Sequence, residues 1–344
     1  MNHTTLACFA SRHLLMPVVA VALAGAGSAA YAQLSPDRLY YGVNREVPMT
    51  IKVPDGKKGE VSVKLLEAGT AKELASASAA AGAINLATLF PQIWADTKHA
   101  VVYAQLAVGE EKIGPAVVIQ PLLSPVSARP GQGGKIQFVE SPRAIFSGVR
   151  AYTDQNIKIE TSMGDLTIEL RPDVAPNTAW NFRELAGGGF YTDISIHRIA
   201  NNNGMGQPFV IQAGDPNGNG QGGPGYNIDL EKSTSLPHDF GIVSMARTQD
   251  PNTAGSQFFV CLSREGTSFL DGAYTTFGQT IEGTETITKL ASVETVVDNG
   301  RASDRPVNPP KIKSAKLVDA APYGTGPKPV TRPGATPAST EKER

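Results

Sequence analysis

Residues 197–259 are the most informative part of the sequence, because they contain short segments rich in apolar and aromatic residues. It begins with His197-Arg198, continues with Phe209-Val210-Ile211-Gln212-Ala213-Gly214-Asp215, and ends with Ser244-Met245-Ala246 and Gly255-Ser256-Gln257-Phe258-Phe259. Segments of this length and composition are typical of strands. Together they supply one cation, side-chain amides and several aromatic groups, without a cluster of nucleophile, base or metal ligands. That combination suits a reaction that breaks no covalent bond.

This set of motifs resembles the cyclophilin family of peptidyl-prolyl cis/trans isomerases, and the resemblance runs from about Asn156 to about Val318. It implies a mainly β fold, an eight-stranded antiparallel barrel closed at each end by a helix. It also implies an enzyme that acts on Xaa-Pro bonds. Rotation about a peptide bond has a barrier of about 18–20 kcal/mol, while the two isomers of an Xaa-Pro bond differ by only about 0.5–1 kcal/mol. Such an enzyme needs only to stabilise the twisted bond.

The resemblance implies two catalytic residues, Arg198 and Gln212. Arg198 matches the family's catalytic arginine, which donates to the prolyl nitrogen as that nitrogen becomes pyramidal. An arginine suits this role because it is always charged and holds its donors in a planar fork. Gln212 matches the amide that binds the substrate backbone. The substrate-binding positions implied by the same resemblance are Phe209, Val210, Ala246, Arg247, Phe259, Phe269, Leu270 and Tyr274.

Four of these positions differ from residues that are common in the family. Val210 stands where Met is frequent, and Arg247 stands where many members carry Asn, so the match at Arg247 concerns the backbone only. Tyr274 replaces a frequent His. Phe269 stands where many eukaryotic members have a Trp, whose indole N–H holds the inhibitor cyclosporin. We therefore expect an active isomerase with a changed cleft rim.

A second departure concerns spacing. In the usual pattern the arginine lies five residues before the pocket phenylalanine, whereas Arg198 and Phe209 are eleven apart. The segment Asn201-Asn202-Asn203-Gly204-Met205-Gly206 reads as a six-residue insertion. Asn and Gly favour turns, and a longer surface loop costs little stability. The insertion leaves the catalytic interpretation intact but is expected to alter substrate access.

The first 32 residues have the pattern of a secretory signal peptide. Arg12 and His13 form a short positive region, residues 14–27 are apolar, and Ala30-Tyr31-Ala32 provides a small-x-small cleavage site. The apolar stretch is shorter than the roughly 20 residues that span a bilayer, so we expect no stable membrane insertion. We expect export, to the periplasm or by secretion. Cleavage leaves Cys261 as the single cysteine, which is interpreted as a small buried hydrophobe.

Residues 33–125 are expected to form an immunoglobulin-like β-sandwich. Apolar residues alternate at Val61, Val63 and Leu65 and again across residues 102–108, with turn residues between such segments. About 90 residues with short, regularly spaced strands are typical of that fold. The Ala-rich segment 71–83 has helical propensity, but its Ser residues and Gly82 argue against a helix, and its structure is left open.

Three further segments follow the predicted sandwich. Residues 126–150 read as a Pro/Gly-rich linker with room for one extra strand on either neighbour. Residues 151–321 are the expected isomerase domain. Residues 322–344 contain Pro, Thr, Gly and charge with few apolar residues, which predicts a disordered tail.

Composition and spacing argue against several other classes of protein. The net charge of the 344 residues is −1, which does not favour nucleic acid as a partner. His99, His197 and His238 are far apart, so no metal site is predicted, and no cofactor is expected. Residues 218–223 match a dinucleotide-binding fingerprint by letters, but Pro224-Gly225 follows instead of a helix. A surface loop is the better interpretation.

A hydrolase is also weakly supported, because Ser244 and Ser256 have no His-Asp partners nearby in the sequence. The leading hypothesis is an exported peptidyl-prolyl isomerase that assists folding of Pro-containing unfolded or client polypeptides. The main alternative is a non-catalytic scaffold of the cell envelope that binds Pro-containing segments. A third is an adhesion or carbohydrate-binding role for the first β domain. A scaffold has no need for an arginine at the amide nitrogen, so Arg198 favours the enzyme. The sequence does not determine the oligomeric state.

Overall fold

The computed structural model describes residues 33–95, 99–139, 145–298 and 301–334. The predicted signal peptide and residues 335–344 lie outside the described residues. None of the helices in these ranges is long and apolar enough to cross a membrane.

The described chain begins with an N-terminal region of two antiparallel sheets, spanning residues 33–153. The smaller sheet has three strands, in the order Leu34–Pro36, Pro48–Ile51 and Gly82–Asn85. The larger has seven, in the order Tyr40–Gly42, Phe146–Thr153, Val117–Leu123, Val102–Val108, Val61–Glu67 and Glu73–Ser78, with Glu111–Lys112 paired to Val102–Val108. Between the strands lie the helices Leu86–Leu89 and Gln92–Ala95 and a separate hairpin, Ser127–Pro130 with Ile136–Val139, closed by the 3-10 turn Gln132–Gly134.

The two sheets share one apolar core. The smaller sheet contributes Leu34, Met49 and Ile51, and the larger sheet faces them with Val63 and Leu106, among others. All five side chains are buried, as period-2 alternation along the strands predicts. The region is therefore a two-layer β structure.

Residues 126–150, expected to be a linker with room for one extra strand, contribute a strand to the larger sheet. Phe146–Thr153 falls largely within the predicted linker, yet it lies inside the larger sheet between Tyr40–Gly42 and Val117–Leu123. Its pairing with distant segments, rather than its own composition, fixes its place. The segment 71–83, which was left open, contains the strand Glu73–Ser78 and the start of Gly82–Asn85.

The second region is built on one antiparallel sheet of nine described strands. Their order is Ile194–Ser195, Lys311–Asp319, Gln155–Thr161, Gly164–Leu170, Thr276–Glu282, Ile242–Met245, Phe258–Cys261, Val210–Ala213 and Arg198–Ala200. The remaining elements are the helices Pro176–Gly187, Arg264–Thr267 and Thr284–Ala291, the 3-10 turn Ser268–Leu270, and the hairpin Thr295–Asp298 with Arg301–Pro306. Nine paired segments are thus described where eight strands were expected.

The first and last strands of this order are neighbours in the chain. Only Ile196 and His197 separate Ile194–Ser195 from Arg198–Ala200, so the chain itself joins the two edges of the sheet. The enclosed core includes Ile199, Phe182 from one long helix and Ile287 from the other. Apolar side chains from both helices therefore close a barrel-like sheet, which from here on is called the barrel.

The two regions meet through aromatic side chains. Trp180, on the helix Pro176–Gly187, lies 4.8 Å from the ring of Tyr152 between centroids. The guanidinium carbon of Arg150 lies 4.4 Å from the Trp180 ring, and that of Arg183 lies 5.2 Å from it. Such stacked cations and rings fix the helix of the barrel against the larger N-terminal sheet.

The expected tail also differs from the structure. Tyr323 stacks on Tyr103 with ring centroids 3.6 Å apart, and its hydroxyl accepts a hydrogen bond from the backbone N–H of Gly69 at 2.7 Å. Further on, the N–H of Val330 donates to the carbonyl of Thr280 at 2.9 Å. Tyr323 is a single aromatic residue in a polar segment, and composition alone does not reveal that it packs on an apolar surface. Tyr323 thus packs on the N-terminal region and Val330 on the barrel, while residues 335–344 of the predicted tail lie outside the described residues.

Candidate active site

The strand register places the predicted catalytic residues side by side. Arg198 pairs with Gln212, Gln212 pairs with Phe259, and Phe259 pairs with Ser244 on the next strand. Directly opposed residues of an antiparallel sheet project to the same face. Arg198, Gln212 and Phe259 therefore form one row across three strands, on the outer face of the barrel.

A chain of side-chain hydrogen bonds runs along this row. Nη1 of Arg198 donates to Oε1 of Gln212 at 3.2 Å, and Nε2 of Gln212 donates to Oε1 of Gln257 at 3.0 Å. Nε2 of Gln257 in turn donates to the carbonyls of Gly222 and Gly220 at 2.8 and 3.0 Å. Gln257 belongs to the quoted sequence motif but was not predicted as a site residue. Its contacts show that it orients the Gln212 amide.

An apolar slot lies beside the guanidinium. Val210, Phe259 and Leu270 are buried in one cluster, against which Phe209 and Tyr274 pack. The guanidinium carbon of Arg198 lies 5.6 Å from the centroid of the Phe209 ring. Adjacent residues on a strand face opposite sides, and accordingly Phe258 belongs to the barrel core while Phe259 belongs to this slot.

The rim of the slot is formed by Phe269 and Tyr274. The ring of Phe269 is stacked on that of Phe209 at 5.6 Å between centroids, yet 61% of Phe269 is exposed. Tyr274 contacts Phe259 edge-on at 5.9 Å, and the guanidinium carbon of Arg247 lies 4.3 Å from the Tyr274 ring. One apolar cluster thus contains or contacts Phe209, Val210, Ala246, Phe259, Leu270 and Tyr274, with Phe269 stacked on Phe209 and Arg247 on Tyr274 at its edge.

Ala246 and Arg247 line an adjoining cavity of about 640 Å³, together with Gln212, Gln257 and the loop 220–227. Nη2 of Arg247 donates to the carbonyl of Ala273 at 2.7 Å, which holds the guanidinium against the Tyr274 ring. On the other side of Gln212 lies a second cavity of about 810 Å³, which His197, Arg198 and Asp304 line. The Gln212 side chain therefore lines both cavities.

A buried polar group supports the slot from behind. Nε2 of His238 lies 3.0 Å from Oγ of Ser244, and Nδ1 lies 2.9 Å from Oδ1 of Asp271. The sequence shows no His-Asp pair next to Ser244, but the fold brings His238 to Ser244 and Asp271 to His238. The arrangement is structural, because Ser244 and His238 are buried and the Ser244 hydroxyl donates to the carbonyl of Thr275 at 3.0 Å. Burial lowers the pKa of His238, and its ring stacks on Phe259 at 6.0 Å.

Asp304 is a second residue of the site, besides Gln257, that was not predicted from the sequence. Nε of Arg198 donates to Oδ2 of Asp304 at 2.9 Å, and Nη2 of Arg198 lies 2.9 Å from the same oxygen. The two residues are 106 positions apart, and Asp304 lies on the hairpin strand Arg301–Pro306. No local pattern marks this aspartate as a partner of the arginine, so only the folded chain reveals it.

The insertion after Ala200 is an ordered turn beside this site. Oδ1 of Asn202 accepts hydrogen bonds from the N–H groups of Gly204 and Gly206 at 2.8 and 2.7 Å. Both glycines have positive φ, 88° and 82°, which explains the residue type. The insertion exposes Met205 but does not disturb the pairing of Arg198 with Gln212.

The glycine-rich loop that resembles a dinucleotide fingerprint is organised by Asp215. Its carboxylate accepts hydrogen bonds from backbone N–H groups, among them that of Asn217 at 2.8 Å and that of Asn219 at 2.9 Å. The loop leads into further irregular structure without a helix. Within the described ranges, no group of three or more His, Cys, Asp or Glu side chains is placed to hold a metal ion. Cys261 is buried, and burial raises its pKa.

Comparison with known proteins identifies the family. Residues 156–317 match the profile of the family described as cyclophilin type peptidyl-prolyl cis-trans isomerase/CLD. A peptidyl-prolyl cis-trans isomerase of Arabidopsis thaliana is 40% identical over 167 residues, which are 47% of this chain and 93% of that protein. Peptidyl-prolyl cis-trans isomerase-like 1 of Aspergillus fumigatus is 39% identical, over 48% of this chain and 96% of its own length.

A solved structure of a cyclophilin type isomerase from Cryptosporidium parvum is 34% identical, covering 48% of this chain and 99% of that one, with a TM-score of 0.43. The family profile and the curated relatives place this chain in the cyclophilin-type peptidyl-prolyl cis-trans isomerase family. It is a peptidyl-prolyl cis-trans isomerase, and its substrates are Pro-containing polypeptides.

Proposed function

We propose that this isomerase is exported and assists the folding of exported polypeptides, with Arg198 as the group that lowers the barrier to rotation. The sequence pattern of residues 1–32 supports export. The placement of Arg198 beside an apolar slot of proline size supports the catalytic role. This juxtaposition of a cation and an apolar slot is the observation that carries the proposal.

The chemistry follows from what changes when an Xaa-Pro bond twists. The planar amide nitrogen has no available lone pair, whereas the twisted nitrogen does. A guanidinium N–H aimed at that nitrogen binds the twisted state better than the planar one, and such differential binding lowers the barrier. The slot formed by Val210, Phe259 and Leu270 would hold the proline ring, so that the arginine meets the nitrogen in a fixed position.

Gln212 has the complementary task of holding the substrate backbone on one side of the rotating bond. Its amide is already oriented by Arg198 and Gln257. The backbone of Ala246 and Arg247 would bind the residue before proline in the adjoining cavity. With one side of the bond held and the ring seated, only the remaining side needs to rotate.

We assign the N-terminal region to an immunoglobulin-like β-sandwich. Its two sheets around one core support this assignment. The rival hypothesis of a non-catalytic scaffold gains no support from the site, because a partly exposed arginine lies beside the Phe209 ring, with its guanidinium carbon 5.6 Å from the ring centroid. A scaffold would need the slot but not the cation.

The catalytic proposal is tested by a protease-coupled isomerisation assay on the protein without residues 1–32. Arg198→Ala should lower kcat/KM by about two to three orders of magnitude, since one donor to a developing charge contributes about 3–4 kcal/mol. Gln212→Ala should lower it less, because this residue positions substrate. Arg45→Ala, at an exposed arginine of the N-terminal region, is the matched control and should leave the rate unchanged. An undiminished rate in Arg198→Ala would refute the assignment.

Export is tested separately. The full-length chain, expressed in a bacterial host, should be recovered from the periplasm or medium with Gln33 as its first residue, as determined by N-terminal sequencing. Replacing the apolar residues Leu14 and Leu15 by Arg should retain the unprocessed chain in the cytoplasm. Recovery of an unprocessed wild-type chain from the cytoplasm alone would contradict the proposal.

A further inference from the structure

The contact between Arg198 and Asp304 gives the guanidinium a defined orientation. Asp304 engages Nε and Nη2 through one carboxylate oxygen, both at 2.9 Å. On the opposite edge, Nη1 donates to Gln212 at 3.2 Å. Arg198 is thereby held on two sides, by a charged partner from the hairpin and by an amide from the neighbouring strand.

The count of donors shows what this orientation leaves available. A guanidinium has five N–H donors in a planar fork. The contacts with Asp304 and Gln212 engage three of them, one on each nitrogen. One N–H on Nη1 and one on Nη2 remain for a substrate. The ring of Phe209 lies 5.6 Å from the guanidinium carbon and limits movement toward that side.

Exposure argues that this pair does not exist for stability. The side chains of Arg198 and Asp304 are 38% and 41% exposed. Ion pairs with that much contact with water contribute little to folding, because solvent screens the charges and the long side chains lose freedom. An arginine with no second partner would sample several rotamers in an open cleft. The main effect of the pair is therefore to fix the orientation of the Arg198 guanidinium.

We propose that Asp304 is a positioning residue, which holds the Arg198 guanidinium so that its two remaining N–H groups face the prolyl nitrogen. This inference rests on the function proposed for Arg198. The chain that follows the hairpin of Asp304 is attached beside the site, since the N–H of Ile196 donates to the carbonyl of Pro310 at 2.8 Å. Asp304 acts through the arginine and does not itself react.

The opposite reading makes a different prediction. A carboxylate that held Arg198 away from substrate would inhibit the free enzyme, and its removal would raise the rate. The positioning reading predicts a loss instead, confined to turnover, because the proline slot and the Gln212 contact remain. Misplacement of a catalytic group by about 1 Å can cost about 100-fold. We expect about a tenfold loss, since Gln212 still orients one edge.

The experiment uses the complete chain without residues 1–32 and measures kcat and KM separately, by exchange spectroscopy over a range of concentrations of a Xaa-Pro peptide. Asp304→Ala should lower kcat about tenfold and leave KM within about twofold. Asp304→Asn should lose less, because its amide oxygen still accepts a hydrogen bond from Nε. Asp165→Ala, which removes the exposed partner of Lys158 elsewhere on the barrel, is the matched control and should have no effect.

A double variant separates this inference from the function on which it rests. In an Arg198→Ala background, Asp304→Ala should change kcat no further, because the two residues act as one unit. If Arg198→Ala loses activity while Asp304→Ala keeps or raises kcat, the positioning role is wrong and the catalytic role stands. If Arg198→Ala itself retains the rate, the proposed function fails first. An equal loss from Asp304→Ala with and without Arg198 also contradicts positioning.

Discussion

The barrel and the N-terminal region use the two faces of their sheets differently. In the barrel, the inner face of the strands Val210–Ala213 and Phe258–Cys261 forms the core, while the outer face carries the row of Arg198, Gln212 and Phe259 to which we assign catalysis. In the larger N-terminal sheet, one face packs on the smaller sheet. Its other face packs on Trp180 and Tyr323. Both faces of that sheet thus serve packing, whereas the barrel reserves one face for chemistry.

A substitution should therefore affect stability in one region and the rate of isomerisation in the other. Damage to the larger N-terminal sheet should lower the free energy of unfolding and leave the rate of the folded enzyme intact. Damage to the outer row of the barrel should do the reverse.

The largest effect is expected from Tyr103→Ala. Tyr103 is 2% exposed and stacks on Tyr323, so removing its ring creates a cavity between the sheet and the C-terminal segment. The free energy of unfolding should fall by about 3–5 kcal/mol, measured by chemical denaturation, with kcat/KM of the folded protein unchanged. Leu74→Ala, at a half-exposed position of the same region, is the control and should cost far less. A matching loss of kcat/KM in Tyr103→Ala would show that the two regions are coupled in catalysis.

A smaller effect is expected at the rim of the slot. Phe269 offers no hydrogen-bond donor, so the wild type should bind cyclosporin weakly, and Phe269→Trp should bind it more tightly by about one to two decades, equivalent to about 1–3 kcal/mol. Turnover should stay similar, because the rim is outside the catalytic row. Phe269→Leu, which is apolar and has no donor, is the control and should show no gain. Tight inhibition of the wild type would mean that Phe269 does not occupy the inhibitor-binding position.

The smallest effect concerns Asp154, at the junction of the two regions. Burial raises the pKa of its carboxyl from 3.8 to about 7, with the nearby charge of Glu169 as a further cause. The folded state therefore holds a proton that the unfolded state releases, and the stability contributed by Asp154 falls as pH rises from about 4 through 7. Asp154→Asn should raise the melting temperature by a few degrees at pH 8 and by less at pH 4.5. An equal shift at both pH values would show that the carboxyl is not protonated in the folded protein.

Much of the site could be predicted from the sequence, because its chemistry needs particular residues on neighbouring strands. The positions of Arg198, Gln212 and Phe259 in one row follow from segments whose order and composition are characteristic. The pocket residues Leu270 and Tyr274 follow from the same resemblance and lie where it implies. For these residues, the function requires particular residue types, and the local sequence therefore reveals them.

Features that depend on distant contacts could not be predicted. Asp304 reaches Arg198 from a hairpin 106 residues later, and its own neighbours in the sequence give no sign of that contact. Likewise, the sequence allows an extra strand within residues 126–150, but only pairing with Tyr40–Gly42 and Val117–Leu123 shows which sheet Phe146–Thr153 joins. Tyr323 looks like part of a polar tail until Tyr103 provides a surface for it. Composition describes a segment alone and carries no information about its partners.

The contacts of Tyr323 can form only after the segment that carries it has been synthesised. Its hydroxyl bonds to Gly69, which is 254 residues earlier in the chain. During synthesis, the N-terminal strands emerge well before the segment that packs on their outer face. Contacts so distant in sequence form slowly, because a long loop must close before they give any stabilisation. Until Tyr323 packs on Tyr103, that part of the larger sheet would expose apolar side chains that other chains could bind.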